Sequence, residues 1–446
     1  MIRNRFRVAA LSALLISLPA AGLFAQEAKS AIDSGNSAWI LMAAALVLLM
    51  TVPGLALFYG GMVRHKNVLS TFYYSFICAV IVSALWVLFQ YSAAFGKDVG
   101  GIIGSLDKAF FNGIGNNSVY PGQTIPESVF SAYQMMFAII TVALISGAVV
   151  ERMSFSAWIV FAAIWSSLIY APLAHWVWGG GWMSHLGSLF GRPDIGVLDF
   201  AGGLVVHISS GVSALVAALY LGKRDGYPHE AILPSNIPFT FIGAGLLWFG
   251  WFGFNAGSAI MANGQAGSAF MVTNTSAVFG AITWIVLEWI INKKPSMIGG
   301  VSGLVAGLAT ITPASGFVSV QTALFVGIAA SIVSFFFVAR VKAFFKYDDS
   351  LDAFGIHGVG GFLGILVTGL FAVPAIGGKA GLFSGEPVQF LVQLIAGLVG
   401  AAFAGVGTFL ILLLVDKVFR LKVRVSVQAE TAGLDISHHG EKAESK

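Results

Sequence analysis

Two histidines stand inside long apolar runs, His207 in DFAGGLVVHISSG (199–211) and His357 in FGIHGVGG (354–361). Each follows an aspartate by eight residues, Asp199 and Asp349. Small residues recur at matching offsets: Gly203 and Ala353 four before, Gly211 and Gly361 four after, Ala214 and Gly364 seven after. On a helix these offsets share one face, so each histidine lies on a stripe that another helix can approach closely. Ionisable side chains in apolar spans are costly and commonly mark a substrate or proton pathway. Two neutral imidazoles can share a hydrogen bond, one donating and one accepting, and so line a narrow path without fixed charge. The same pair can take or pass a proton. Alternatively, each is a separate packing histidine. A transition metal would want a third ligand, and none accompanies the pair, so no metal or cofactor is expected. Asp199 opens its span and reads as an N-cap, with a negative potential that would also favour a cation; Asp349 is its counterpart.

Aromatic residues make up 13% of the chain, and a few have unusual contexts. Trp178 closes a span in AHWVWGGGW (174–182), Phe137 lies in YQMMFAIIT (133–141), and Phe254 precedes Ser258 by four residues in WFGFNAGSA (251–259). A tryptophan at a span end is by default an interfacial anchor. The alternative is an aromatic cup for a cation, worth about 0.5–2 kcal/mol per contact, with Ser258 accepting from an N–H donor. There is no TVGYG-type filter and no ring of carboxylates, as a pore for hydrated metal ions would want.

The elements that must position these residues are membrane helices. The chain has 446 residues, 57% of them hydrophobic and 10% charged, against about 25% charged in a soluble domain. Apolar runs long enough to span a bilayer recur, and they are continuous rather than alternating, which excludes a β-barrel. The fold class is an all-α polytopic membrane protein. Eleven spans are expected at 37–61, 68–95, 127–149, 153–174, 200–222, 236–260, 267–291, 297–312, 319–345, 355–373 and 389–419. Residues 1–25 read as a signal peptide, with Arg3, Arg5 and Arg7 before an apolar core ending at Ala25. Residues 26–420 form the transmembrane domain and 421–446 a polar cytoplasmic tail. The Gly- and Asn-rich segment 96–126 is expected as an outer loop without a core of its own.

Segments assigned to the inside carry Arg64, Lys66, Arg152, Lys223, Arg224, Lys293, Lys294, Arg340, Lys342, Lys346, Lys417, Arg420, Lys422 and Arg424. Those assigned to the outside carry only Lys29, Lys97, Lys108, Arg192 and Lys379. The positive-inside rule thus places the N-terminus outside and the C-terminus in the cytoplasm of an inner-membrane protein. The histidine helices are the fifth and tenth spans. A five-span unit repeated once must invert, which gives a five-plus-five inverted repeat with its site near the midplane. Cys78 is the only cysteine, so no disulfide can form within the chain. No segment is large enough for a conventional enzyme domain, and no nucleophile–base pair appears, so the chain is not expected to be an enzyme.

The segment DFAGGLVVHISSGVSALVAALYLGKR (199–224) resembles the signature of the ammonium transporter family, Amt/Mep/Rh. PGLALFYGGMVRHKNVLS (53–70), AHWVWGGG (174–181), GWFGFNAGSA (250–259), TPASG (312–316), FGIHGVGG (354–361) and GLDISHHGE (433–441) resemble it too, in family order over nearly the whole mature chain. The resemblance implies a homotrimer with one pore per subunit. It assigns Trp178, Phe137 and Ser258 to an outer ammonium-recruitment site, Phe137 and Phe254 to a stacked gate, and His207 and His357 to the twin histidines of the pore. Asp199 matches a buried structural or electrostatic aspartate. The pattern is that of bacterial Amt proteins. It also implies a cytosolic PII-type signal protein as a partner of the tail. Ammonium or ammonia, the lipid bilayer and sister subunits are the expected partners, and nucleic acid is not. The alternatives are an ammonium sensor signalling through its tail and a channel for another small neutral gas.

Overall fold

The protein is described as a computed structural model covering residues 32–443; the signal assigned to residues 1–25 lies outside the described residues. Among the described residues, eleven helices are long and apolar enough to cross a membrane: α1 (Ser34–Met62), α2 (His65–Phe95), α3 (Glu127–Val149), α4 (Phe155–Val177), α5 (Gly203–Leu221), α6 (Ile237–Gly257), α7 (Gly264–Asn292), α8 (Met297–Ala314), α9 (Val320–Phe345), α10 (Phe354–Phe371) and α11 (Pro387–Val418). Each coincides with one expected span, with ends displaced by a few residues. The chain is a multi-pass membrane protein.

Polar residues in the turns set many of the helix starts. Asp33, Ser154, Asn236, Asn263, Ser296 and Ser319 each accept a hydrogen bond from a backbone N–H in the first turn of the following helix. This satisfies donors that lipid would leave bare. Helix α4 runs past the expected end at Ala174 to Val177, and His175 within that extension is buried and hydrogen-bonded.

Between helices the hydrophobic effect offers little, since lipid is equally apolar; close packing and hydrogen bonds must do the work. Helix α5 packs on α3, α11 and α10. A Cβ on Gly211 would collide with the backbone of Gly358, and one on Gly361 would come within 2.7 Å of the His207 Cβ. These two glycines are what let α5 and α10 touch. Gly203 and Gly364 instead make room for Pro313 at the end of α8. Polar contacts tie other pairs: Trp86 Nε1 donates to Ser131 Oγ at 3.0 Å, Trp165 Nε1 to Thr408 Oγ1 at 3.0 Å, and Asn255 Nδ2 to Thr273 Oγ1 at 2.9 Å.

Two segments outside the spans are held against the bundle. The 96–126 segment carries a small antiparallel hairpin, Asp98–Val99 against Ile103–Gly104, and its Ile125 is wholly buried, joining the main core. The polar tail is no loose solvated end. Its short helix α12 (Val427–Ala432) begins at Ser426, and Asp435 accepts from the Leu69 and Ser70 amides at 3.1 and 2.7 Å. Beside it lies a buried ionic cluster. Arg224 holds Asp348 (2.8 Å) and Glu151 (3.0 Å), and Glu151 also holds Arg64 (3.0 Å). Burial pushes the Asp348 carboxyl up, but the hydrogen bonds and charge of Arg224, with the charge of Arg152, outweigh it and hold Asp348 below the usual carboxylate range.

Candidate functional site

At the end of the bundle opposite the tail, a vestibule of about 300 Å³ opens among Tyr120, Gln134, Phe137, Trp178, Phe200 and Ser258. Three helices meet there, and local chemistry aims each side chain. Trp178 follows the last turn of α4, and its Nε1 donates to the Asp199 carbonyl at 2.8 Å. Ser258 ends α6 and donates to the Phe254 carbonyl at 2.9 Å. A hydroxyl has one proton, so that bond turns the Ser258 lone pairs outward as acceptors. Tyr133 OH braces the same turn, 2.8 Å from the Phe254 carbonyl and 3.2 Å from Ser258 Oγ.

Below the vestibule, the rings of Phe137 and Phe254 stack with centroids 4.2 Å apart and planes 19° off parallel. Trp178 meets Phe137 edge-on at 6.0 Å. Both phenylalanines are buried, so the stack closes the passage. Beyond it lies a cavity of about 10 Å³ lined by Phe254, Trp251, His207, His357 and aliphatic side chains. That is the lower limit for one water-sized molecule. The His207 and His357 rings are nearly parallel, with Nδ1 atoms 3.3 Å apart. One Nδ1 carries the shared proton and the other accepts it. Trp251 stacks on the second flank of His207 at 5.6 Å and is itself fixed by a 2.9 Å bond to Thr312 Oγ1. His207 Nε2 has no hydrogen-bond partner among the described residues.

Each histidine sits in a stretch of wider, π-helical winding, Gly203–Ile208 and Phe354–Gly358. Such turns are rare and gather at functional sites. Asp199 anchors the first of them. Its Oδ1 accepts from the Gly202 and Gly203 amides at 2.9 and 2.5 Å, and its Oδ2 from Leu204 and Val205 at 2.8 and 3.1 Å. Burial still leaves this carboxyl above its ordinary pKa, with the four donors pulling the other way. Asp349 does the lesser version: one oxygen accepts from Phe354 N at 2.7 Å, and the other has no partner among the described residues. Burial and the Asp352 charge push it up to about 6, against the charge of Lys342.

Six of the eight residues singled out from the sequence thus lie on one line, from vestibule to ring stack to histidine pair, and Asp199 stands behind Trp178. Asp349 stands apart, at the tail end of α10. Sequence reasoning missed three residues. Gln134 is buried in the vestibule wall, and its amide makes no hydrogen bond among the described residues. Its spacing of three from Phe137 was a usable signal. Tyr133 and Trp251 had none, because a buried aromatic in an apolar helix looks like packing. No group of His, Cys, Asp and Glu among the described residues could hold a metal ion.

The model of the Ammonium Transporter Family matches residues 38–444. The chain is 49% identical over 412 residues to an ammonium transporter of Bacillus subtilis, covering 92% of this chain and 98% of that one. It is 47% identical to the ammonium transporter Amt1 of Archaeoglobus fulgidus, covering 92% and 99%. Among solved structures it resembles Saccharomyces cerevisiae Mep2, with a TM-score of 0.81, 33% identity and coverage of 90% and 89%. A Sensor Amt Protein is similar at 28% identity and a TM-score of 0.81, covering 91% and 98%. Two of these relatives are named as ammonium transporters and one as a sensor. The chain belongs to the ammonium transporter family.

Proposed function

We propose that this subunit takes ammonium into its vestibule, where the ion gives a proton back to the solvent above the Phe137–Phe254 stack, and conducts the resulting ammonia past His207 and His357. The observation that carries this is the alignment of a cation-suited cup, a ring stack and a cavity with room for one small molecule. In the cup, Trp178 and Phe137 offer ring faces and Ser258 an outward acceptor. Moving a bare ion into hydrocarbon costs of order 20 kcal/mol, which cation–π contacts of about 0.5–2 kcal/mol each do not offset. Potassium has no way around that barrier. Ammonium does, because it can leave its proton behind. The parallel imidazoles then offer ammonia an acceptor and a donor without a fixed charge. In the same reading Asp199 holds the turn that aims Trp178, the vestibule faces outward, and the tail lies in the cytoplasm of an inner-membrane homotrimer. The tail, docked on the start of α2, is the surface offered to a PII-type protein.

The test is uptake into liposomes holding the purified protein. Ammonium should compete with labelled methylammonium, and potassium should not. Equal competition by potassium would overturn the deprotonation step. An ammonium pulse on the same liposomes also separates two modes: current means that the proton crosses as well, and uptake without current means that ammonia alone does. Deleting residues 425–446 should abolish inhibition by a PII-type protein; persistent inhibition would remove the tail from that contact.

A further inference from the structure

His175 lies three residues before Trp178, on α4, and is fully buried. Its Nδ1 is 3.0 Å from the carbonyl oxygen of Ala94, at the end of α2. Its Nε2 is 2.8 Å from Oδ1 of Asp98, in the first strand of the hairpin. A carbonyl oxygen only accepts, so Nδ1 must carry a proton to make the first bond. The second bond depends on Asp98. That side chain is 43% exposed, and both its oxygens accept from the Gly101 amide, at 2.9 and 3.0 Å. A carboxylate this exposed, accepting a backbone amide on both oxygens, stays ionised near neutral pH. It therefore accepts from Nε2, which must also carry a proton.

The surroundings show what the pair holds. Trp176 Nε1 donates to the Ile102 carbonyl at 2.7 Å, and the Trp182 amide to Gly101 at 3.0 Å. The amides of Gly179 and Gly181 donate to the His175 carbonyl at 3.0 and 2.8 Å. The hairpin, the end of α2 and the Trp178 turn are thus pinned at one point. Asp98 is the one ionisable partner that the described interactions give the His175 ring; α2 presents only the Ala94 carbonyl.

We infer that His175 is a doubly protonated positioning residue whose imidazolium–carboxylate bond to Asp98 fixes the turn carrying Trp178, and so sets the affinity of the vestibule for ammonium. This rests on the ammonium-site assignment of Trp178. A ring that loses one proton loses a charge-assisted bond, the hairpin loosens, and Trp178 is held less firmly. The effect falls on recruitment and not on passage, because the pair touches neither the ring stack nor the twin histidines.

Two measurements on the full-length protein in liposomes test it. In 15N-histidine spectra at about pH 7, the His175 signals, assigned by their loss in His175→Gln, should show a proton on both ring nitrogens. A single protonated nitrogen overturns the inference, whatever the transport result. In uptake assays compared at equal cation concentration, KM for ammonium should rise about fivefold from neutral to alkaline pH, at constant maximal rate. In Asp98→Asn the amide can donate to a neutral Nε2, so the bond survives without charge and the KM profile should be flat. The same pH dependence in both proteins would overturn the inference. Absence of saturable ammonium uptake in the wild type would instead count against the ammonium site itself, and the nitrogen spectrum would still decide the protonation of His175.

Discussion

Asp199 offers the sharpest test of how the site is built. Its two carboxylate oxygens accept four backbone amides, from Gly202, Gly203, Leu204 and Val205. In Asp199→Ala all four donors lose their acceptor in a buried turn. A hydrogen bond to a charged group is worth about 1.5–3 kcal/mol, and a buried donor left bare costs about 1–3 kcal/mol. Four bonds on one carboxylate are not additive. The expected loss is therefore about 3–6 kcal/mol, above the ~1 kcal/mol typical of an exposed cap. Asp199→Asn keeps one acceptor oxygen, hence two of the four bonds, and should lose about half as much. Thermal unfolding of the purified proteins, followed by near-ultraviolet circular dichroism, should rank wild type above Asn and Asn above Ala. Uptake by the folded fraction should fall in the same order, because the Asp199 carbonyl that orients Trp178 moves with the turn. An Ala variant that unfolds like wild type yet no longer binds ammonium would refute the capping role and leave the carboxylate acting on the cation through its charge alone.

Three further outcomes are expected. Trp178→Leu and Gln134→Leu should each raise KM for ammonium with little change in maximal rate, Trp178 by about tenfold for a lost ring contact of up to 2 kcal/mol and Gln134 by less; an effect on rate alone would move either residue out of recruitment. Gly211→Leu should prevent α5 from seating on α10, because its side chain would have to pass through the Gly358 backbone; a folded variant of wild-type thermal stability would contradict the close approach. Asp348 has a depressed folded-state pKa, so its contribution to stability is full above the ordinary carboxylate range and is lost as pH falls through the folded value. The thermal midpoint should therefore drop in acid, and Asp348→Asn should be less stable near neutrality with a shallower acid dependence.

Much of this was legible in the sequence, for a physical reason. Lipid forces the backbone into helices and makes each buried ionisable group costly, so His207 and His357 stood out and their matching frames linked residues 150 apart. The glycines at 211 and 361 were legible for the same reason, since only small residues permit that approach. Helical winding was not: hydropathy does not distinguish an α-turn from the π-turns under both histidines. The packing of the tail was not legible either, because its polar composition hides two buried carboxylates, Glu430 and Asp435. The partners of Asp435, the Leu69 and Ser70 amides, lie about 366 positions earlier in the chain, where no local pattern connects them. Gln134 escaped notice because an amide in an apolar helix carries no charge to explain.

On the proposed route, ammonium nitrogen crosses this subunit along the line of Phe137, Phe254, His207 and His357. Ammonium uptake by the purified protein in liposomes, wild type beside His207→Ala and His357→Ala, tests it most directly. Wild type should fill the liposomes faster than protein-free controls while excluding potassium, and each substitution should change the rate or admit potassium without changing the folded yield. Wild-type uptake no faster than protein-free liposomes, or folded variants that match wild type in both rate and selectivity, would contradict it.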